Sequence, residues 1–379
     1  MLHCPAVGLH SVEAAKKEPI VAIVNTSRSA TGFGRYTRDL ALSLEGRADV
    51  FSFRVMRSDT GAVFPGSVYS GFSLPLFSSQ SSFANYVSAY INSRFFTAAF
   101  HSGTADVLRM AEEGRIIHYA SQEVFPFRNE GDEVVTIHDL VSLTDHFGSG
   151  GFASRTYRKL VSRNINLYRK FSRIIAVSDF VRGELIRAGF DGRIEVIHSP
   201  VSIAFHPLAD RVSARRSLGL PEDKKLILSV SIKHRRKNLD AVSGAVEMLG
   251  GDYRLVRVGE QIGNSITFSG ISDETLNMIY NACDVLLFPS LEEGFGYPVV
   301  EAFASGLPVV ASDIEVMREV AGNSAVLVEP DASACAAGVR DAISSREELS
   351  ASGIKRAVMF SFESFSRNMK KYYAALTGQ

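Results

Sequence analysis

Short apolar runs alternate with helical stretches in two series, on either side of residues 200–207, and this pattern leaves the chain few ways to fold. In the first half the runs lie at 20–24, 115–118, 134–138, 173–177 and 194–197. After Pro200 the pattern restarts, with runs at 226–230, 253–258, 266–268, 284–288, 307–311 and 325–328. Helix-like segments at 238–249, 273–282, 298–305 and 333–344 alternate with several of them. Runs of Val, Ile and Leu this short read as strands buried on both faces, and strands alternating with helices call for a parallel sheet covered on both sides. The 379 residues exceed what one hydrophobic core usually organises. The expectation is an α/β protein of two Rossmann-like domains facing a cleft, one over 1–200 and one over 201–360. A last amphipathic helix, read at 361–375 within the segment 361–379, completes the first domain.

Composition removes several function classes. Lysine plus arginine balance aspartate plus glutamate at 41 each, so the basic excess of a nucleic-acid reader is missing. No apolar run approaches the roughly 20 residues that span a bilayer. Residues 1–18 read as a loose leader without the pattern of a secretory signal. Cys4, Cys283 and Cys335 are too far apart for a disulfide framework or a zinc motif, which fits a reducing cytoplasm. No Asp-rich or His-rich cluster offers a metal site. Between Arg155 and Arg173 seven residues are basic; a solvated helix face is the expected role, and a surface resting on anionic lipid is the alternative.

The stretch EEGFGYPVVEAFASGLPVVAS, residues 292–312, carries the chemistry. The strand at 284–288 runs into a polar loop that turns through Gly294 and Gly296, and Pro298 opens a helix. Ligands of parallel sheets bind at the carboxyl ends of the strands, where glycines let the backbone approach and a helix N-terminus offers free N–H groups. A diphosphate suits that place. Glu293 and Glu301, on either side of it, can accept hydrogen bonds from the hydroxyls of a sugar and of a ribose. A second unit of strand, glycine loop and helix stands at 20–44, with Gly32 and Gly34 in the loop and Arg28 and Arg35 flanking it. Either arginine suits an anionic acceptor, the donor phosphate or plain solvent.

This stretch resembles the E-x7-E signature of the family-four retaining glycosyltransferases of GT-B fold, a group 1 family. The resemblance continues in Thr31-Gly-Phe-Gly-Arg-Tyr-Thr37, similar to the acceptor-side loop of the mannosyltransferase-like branch. Val135-Thr-Ile-His-Asp-Leu140 is similar to the family's HDL segment, Ile174-Ile-Ala-Val-Ser178 to its following strand, and Phe268-Ser-Gly-Ile-Ser-Asp-Glu274 to the loop shaping the nucleobase pocket. It implies that Glu293 contacts the donor hexose, with Gly294, Phe295 and Gly296 beside it, and that Glu301 contacts the ribose. It further implies that Lys237, in the Lys237-Asn238 step, binds the phosphates, that His138 meets the transferring sugar, and that Ile271 and Ser272 border the base.

One departure stands out. Many relatives carry Gly-Arg early in the phosphate loop, where this chain has Ser231-Ile232; Lys233, Arg235 and Arg236 are the candidate substitutes. The implied reaction moves a hexose from a nucleoside diphosphate sugar, GDP-mannose before UDP-hexoses, to a hydroxyl of a glycan or lipid-linked acceptor. It proceeds with retention and needs no cofactor or metal. Nucleic acid is not an expected partner; the cytoplasm is the expected place, with peripheral contact with the inner face of a membrane as the alternative. The rival readings are a sugar-nucleotide epimerase on the same fold and a non-catalytic sugar-nucleotide-binding subunit.

Overall fold

A computed structural model describes residues 20–25, 32–52, 67–68, 115–122, 133–140, 169, 171, 173–190 and 192–378. Two parallel sheets organise these residues. The first contains β1 (Val21–Asn25), β2 (Ala48–Ser52), β3 (Ser67–Val68), β4 (Ile116–Tyr119), β5 (Glu133–Ile137), β6 (Arg173–Ala176) and β7 (Arg193–Val196), in the order β3-β2-β1-β4-β5-β6-β7. The second contains β8 (Lys225–Val230), β9 (Tyr253–Val258), β10 (Ile266–Phe268), β11 (Val285–Phe288), β12 (Val309–Ser312) and β13 (Val326–Val328), in the order β10-β9-β8-β11-β12-β13. Every residue of β4, β5, β11 and β12 is buried, which is why these strands show no alternation of apolar and solvent-facing positions.

Strand order reverses between β1 and β4 in the first sheet and between β8 and β11 in the second. At such a reversal the helices that follow the two strands leave on opposite faces, and a crevice opens between the strand ends. The helices are α1 (Gly32–Ser43), α2 (Asp179–Arg187), α3 (Arg211–Ser217), α4 (Leu239–Leu249), α5 (Asp273–Ala282), α6 (Tyr297–Ala304), α7 (Glu315–Ala321), α8 (Ala332–Ser344), α9 (Arg346–Ala357) and α10 (Phe362–Thr377). Side chains of Ser178, Asp210, Ser272, Asp331 and Ser361 cap α2, α3, α5, α8 and α10, each accepting a free N–H of the first turn.

Gly32 and Gly34 belong to the first turn of α1, not to a loop before it. The helix starts where the chain meets the second sheet's loops: a Cβ on Gly32 would sit 3.6 Å from the Tyr297 ring. The first-turn N–H groups have no intrahelical acceptor in any case, so glycine weakens a helix little there. Strands β2 and β3 are additions to the sequence reading, because Ala48-Asp-Val-Phe-Ser52 and Ser67-Val68 are too polar or too short to register as apolar runs. Arg28, Cys4 and the basic stretch from 155 to 168 lie outside the described residues, while Cys283 and Cys335 are fully buried. Among the described residues no helix is long and apolar enough to cross a membrane.

The last helix packs on the first sheet. Phe365, Met369 and Tyr373, spaced four apart, enter the cluster formed by Tyr36, Leu40, Val134 and Ile175. There the Tyr373 hydroxyl meets His118 Nδ1, His118 Nε2 lies 2.8 Å from Thr136 Oγ1, and Tyr36 Oη lies 3.0 Å from the same Oγ1. Burial pushes the His118 imidazole down to about 3, so it is neutral throughout the physiological range. In the second domain Asp284 gathers Arg215 at 2.7 Å, Arg211 at 3.4 Å and the Leu226 N–H at 2.7 Å, with Arg346 at 3.7 Å. Burial works to raise its carboxyl, but the Leu226 N–H and Arg215 outweigh burial and hold it below the usual range.

Two stability measurements test these anchors. Asp284→Asn leaves three arginines without their shared anion, and unfolding in urea should show a loss of about 3 kcal/mol, the low end for a broken buried pair. That end applies because the Asp284 side chain keeps 12% of its exposure. For His118, an unfolded chain takes up the proton near pH 6.5 and the folded one only near 3, so its contribution is complete above 6.5. It is lost as pH falls through that window, at up to about 1.4 kcal/mol per pH unit. His118→Gln should therefore flatten the pH dependence of stability between 6.5 and 4.5; an unchanged slope would contradict the assignment.

Candidate active site

The loops that leave β8 and β11 flank the reversal of strand order in the second sheet. The β8 loop passes through a 3₁₀ turn at Arg235–Lys237, capped by His234, and ends on Asn238 in the left-handed region (φ 52°). Asparagine tolerates that conformation, and here its Nδ2 is tied to Pro330 O at 2.7 Å. Leu291 N donates to Arg236 O at 2.7 Å, joining the two loops. The result is a buried charge cluster. Glu293, 8% exposed, contacts Lys237 Nζ through Oε1 and lies 3.1 Å from Arg236 Nη1 through Oε2. Arg236 Nη1 also reaches Glu292 O at 3.2 Å. Burial works to raise the Glu293 carboxyl, but Lys237 and Arg236 prevail and hold it below the ordinary range. Burial pulls the Lys237 ammonium down, opposed by Glu293, and the amine sits 5.2 Å above the Phe288 ring.

Gly296, at φ 96°, ends the β11 loop in a backbone state open to glycine, and a Cβ there would lie 2.6 Å from Met317 Cε. Helix α6 starts immediately after it with Pro298 in its first turn, and its first-turn N–H groups point into the loop. Glu301, one turn in, is 1% exposed. Its Oε2 accepts from Tyr280 Oη at 2.8 Å and its Oε1 pairs with Arg35 Nη1 at 2.6 Å. Arg35 comes from α1 of the first domain, and its guanidinium also lies 3.7 Å from Asp273 and 5.5 Å above the Tyr297 ring. Burial opposes that cation, yet Glu301 and Asp273 hold it above its ordinary value.

The two domains touch at the signature turn. A Cβ on Gly294 would lie 1.7 Å from His138 O, so only glycine permits this approach. Ser178 Oγ donates to Gly294 O at 2.7 Å while it accepts from Val181 N at the start of α2. Glu319 on α7 accepts from Asp179 N at 2.8 Å, Phe180 N at 2.9 Å and His198 Nε2 at 3.0 Å, capping the helix of one domain from the other. Phe295, 4% exposed, packs against Phe360 and Tyr297.

His138, 5% exposed, donates from Nε2 to Ala120 O at 2.9 Å and packs against a tilted Phe33 ring and, edge to face, against Tyr36. Burial pushes it down to about 4. Its ring is thus a neutral group fixed in the wall of the first domain, with its backbone against Gly294. Ser272 is exposed and spends its hydroxyl as the cap of α5; Ile271, half-buried, packs beneath it. Lys233 and Arg235 are exposed, with Lys233 N held by Glu260 at 2.7 Å, whereas Arg236 turns inward to Glu293. A cavity of about 240 Å³ opens beside Glu293 and Gly294, between Asp139 and Leu140 on one side and Glu315 and Val316 on the other.

Sequence reasoning did not find Tyr280 as the partner of Glu301, nor Glu319 as the cross-domain cap. A helical face gives no sign of a partner on another element. Arg257 was also missed, and its signal is legible: an arginine inside the apolar strand Leu255-Val-Arg-Val258. Among the described residues no three His, Cys, Asp or Glu side chains gather as a metal site.

Comparison with known proteins places this geometry. The family model for glycosyl transferases group 1 matches residues 210–357, and the model for glycosyltransferase family 4 matches 116–205. The serotype-specific mannosyltransferase WbdA of Escherichia coli is 28% identical over 228 residues, which cover 52% of this chain and 27% of that protein. The chain spans less than two thirds of the length of this and other curated relatives it matches. In fold it is similar to sucrose-phosphate synthase from Thermosynechococcus elongatus, with a TM-score of 0.75, 21% identity and coverage of 96% of this chain and 100% of that one. It is likewise similar to HepE of Anabaena in complex with UDP and glucose, with a TM-score of 0.71, 18% identity and coverage of 94% and 100%.

The closeness of Gly294 to His138 O can be tested without any substrate. Gly294→Ala inserts a methyl group where there is no room, so the turn and the first domain must separate. Small-angle scattering should give a larger radius of gyration for the variant, with both domains still folded by circular dichroism. An unchanged radius would show that the contact does not set the cleft.

Proposed function

The chain belongs to the group 1 glycosyl transferases of GT-B fold, and we propose that it transfers a hexose from a nucleoside diphosphate sugar to an acceptor hydroxyl with retention at the anomeric carbon. The observation that carries this reading is Glu293, a buried carboxylate held between Lys237 and Arg236 at the reversal of strand order. Sugar hydroxyls of the donor that donate to that carboxylate free the two cations for the diphosphate, so hexose and phosphate are recognised by one cluster. Arg236 supplies the cation that Ile232 does not, which selects it over Lys233 and Arg235. Glu301 takes the ribose, beside Tyr280 and Arg35, and the base lies toward Ile271 and Ser272. The cavity beside Glu293, with Asp139 in its opposite wall, receives the transferring sugar.

The acceptor hydroxyl attacks the anomeric carbon on the face from which the diphosphate departs. The bond from that carbon to the β-phosphate oxygen breaks, and the acceptor's proton passes to that oxygen. Lys237, Arg236 and the free N–H groups at the start of α6 stabilise the charge that develops there. These cations do the work for which other transferases use a metal. The cross-domain contacts of Gly294 and Glu319 exclude water that would hydrolyse the donor. Mannose from GDP-mannose is the first donor to try, supported by the likeness to WbdA, followed by UDP-hexoses. The acceptor is a glycan or lipid-linked glycan, met in the cytoplasm or at the inner face of a membrane.

The test follows nucleoside diphosphate release with GDP-mannose and UDP-glucose over a panel of glycan acceptors, in EDTA. We expect turnover that persists in EDTA, and we expect Glu293→Gln and Lys237→Met each to lower it by about 10²–10³-fold. Undiminished transfer by Glu293→Gln would sink the site, and product formed without acceptor would favour an epimerase.

A further inference from the structure

Arg257 is the largest side chain of the described residues that is wholly buried, at 0% exposure, and nothing in the reaction above uses it. It stands in β9, in a strand position whose neighbours Leu255 and Val256 are apolar and buried. Its guanidinium reaches sideways under the end of β8. Nη1 donates to Ser229 O at 3.2 Å, Ser229 Oγ at 2.9 Å and Ser231 Oγ at 3.1 Å; Nη2 donates to Ser231 O at 2.7 Å; Nε lies 3.4 Å from Glu260 O. Every one of these acceptors is neutral. No carboxylate of the described residues lies within ion-pair distance, although Glu260 acts on the charge from farther off. Burial accordingly pulls the guanidinium below its ordinary value.

A cation without a counter-ion is costly to bury, and a well-packed apolar side chain would hold the two strands together at less cost. The surroundings are nevertheless built around it. Gly259, at φ 135°, leaves just enough room: a Cβ there would sit 2.2 Å from Ser231 O and 3.1 Å from Arg257 Nη2. Ser231 is the first residue of the loop that carries Arg236 and Lys237. A positive charge thus lies one strand over from β8, beneath the loop that carries Arg236 and Lys237.

We propose that Arg257 is a positioning residue for the donor diphosphate, fixing the Ser231 end of the loop and supplying from beneath it a buried positive charge. The inference rests on the reading of residues 231–238 as the phosphate loop. A charge shielded from solvent is screened far less than one at the surface, so it acts on an anion it does not touch. Its effect grows with the charge of the ligand, whereas a strand staple would act on every ligand alike.

Calorimetry with guanosine, GMP and GDP, and in parallel with uridine, UMP and UDP, separates these roles. Arg257→Gln keeps hydrogen bonds to Ser231 and removes the charge; Arg257→Lys keeps the charge and loses the fork. For the base that the wild-type chain binds, Arg257→Gln should leave nucleoside affinity as it was and weaken the diphosphate by about tenfold or more, with the monophosphate between. Arg257→Lys should retain most of the diphosphate preference. If Arg257→Gln does not fold, Arg257→Met replaces it with the same expected ladder. Equal losses for nucleoside and diphosphate, or no loss at all, would overturn the proposal while leaving the donor site standing. A wild-type chain that binds neither diphosphate overturns the donor reading and this inference with it.

Discussion

One close approach governs the arrangement of the cleft: the α-carbon of Gly294 lies against the carbonyl of His138, with no room for a side chain between them. That contact joins the strand ends of the second sheet to those of the first. It brings the β11 loop to the wall of the first domain, and from there Ser178 and Glu319 tie α2 to the second domain. Each link pairs one side chain, Ser178 or Glu319, with a backbone carbonyl or helix N–H group, so the fit depends on the path of the chain together with those two side chains. The charged residues are then gathered into a space whose dimensions are already set.

Within that space the acids and bases occupy one another. Glu293 is held by Lys237 and Arg236, and Glu301 by Arg35 and Tyr280. Each cation is buried enough that its carboxylate partner is needed to offset desolvation. A ligand bringing its own hydroxyls and negative charge exchanges one set of partners for another and buries no charge alone. The first domain contributes to this exchange through Arg35, which bridges to Glu301 across the cleft.

The second domain was the more legible half in sequence. Strands β8 to β13 are short, Val/Ile/Leu-rich runs, most of them divided by helices, and buried parallel strands have that composition. The first domain hides two strands because Ala48–Ser52 carries Asp and Ser and Ser67–Val68 is only two residues long. Gly32 and Gly34 suggested a loop because glycine weakens helices, yet both lie in the first turn of α1, where Gly32 comes close to Tyr297. Glu293 and Glu301 stood out because a glycine turn at a strand end announces itself locally, and Lys237 through its place in a basic loop between strand and helix and the resemblance of its Lys-Asn step. Partners brought from elsewhere, Arg35 on Glu301 or Arg257 beneath Ser231, follow from tertiary contacts to which local pattern is blind.

The helix α10 carries a consequence for how the molecule is made. Phe365, Met369 and Tyr373 close the core of the first sheet, and Tyr373 meets His118 there. A chain emerging from the ribosome produces β1 to β7 early but lacks the helix that covers them until the last residues of this stretch appear. The second sheet has its strands and capped helices in one unbroken stretch and can pack first. Until α10 emerges, the first sheet waits with an uncovered apolar face, so its aggregation risk lasts through the synthesis of the whole second sheet.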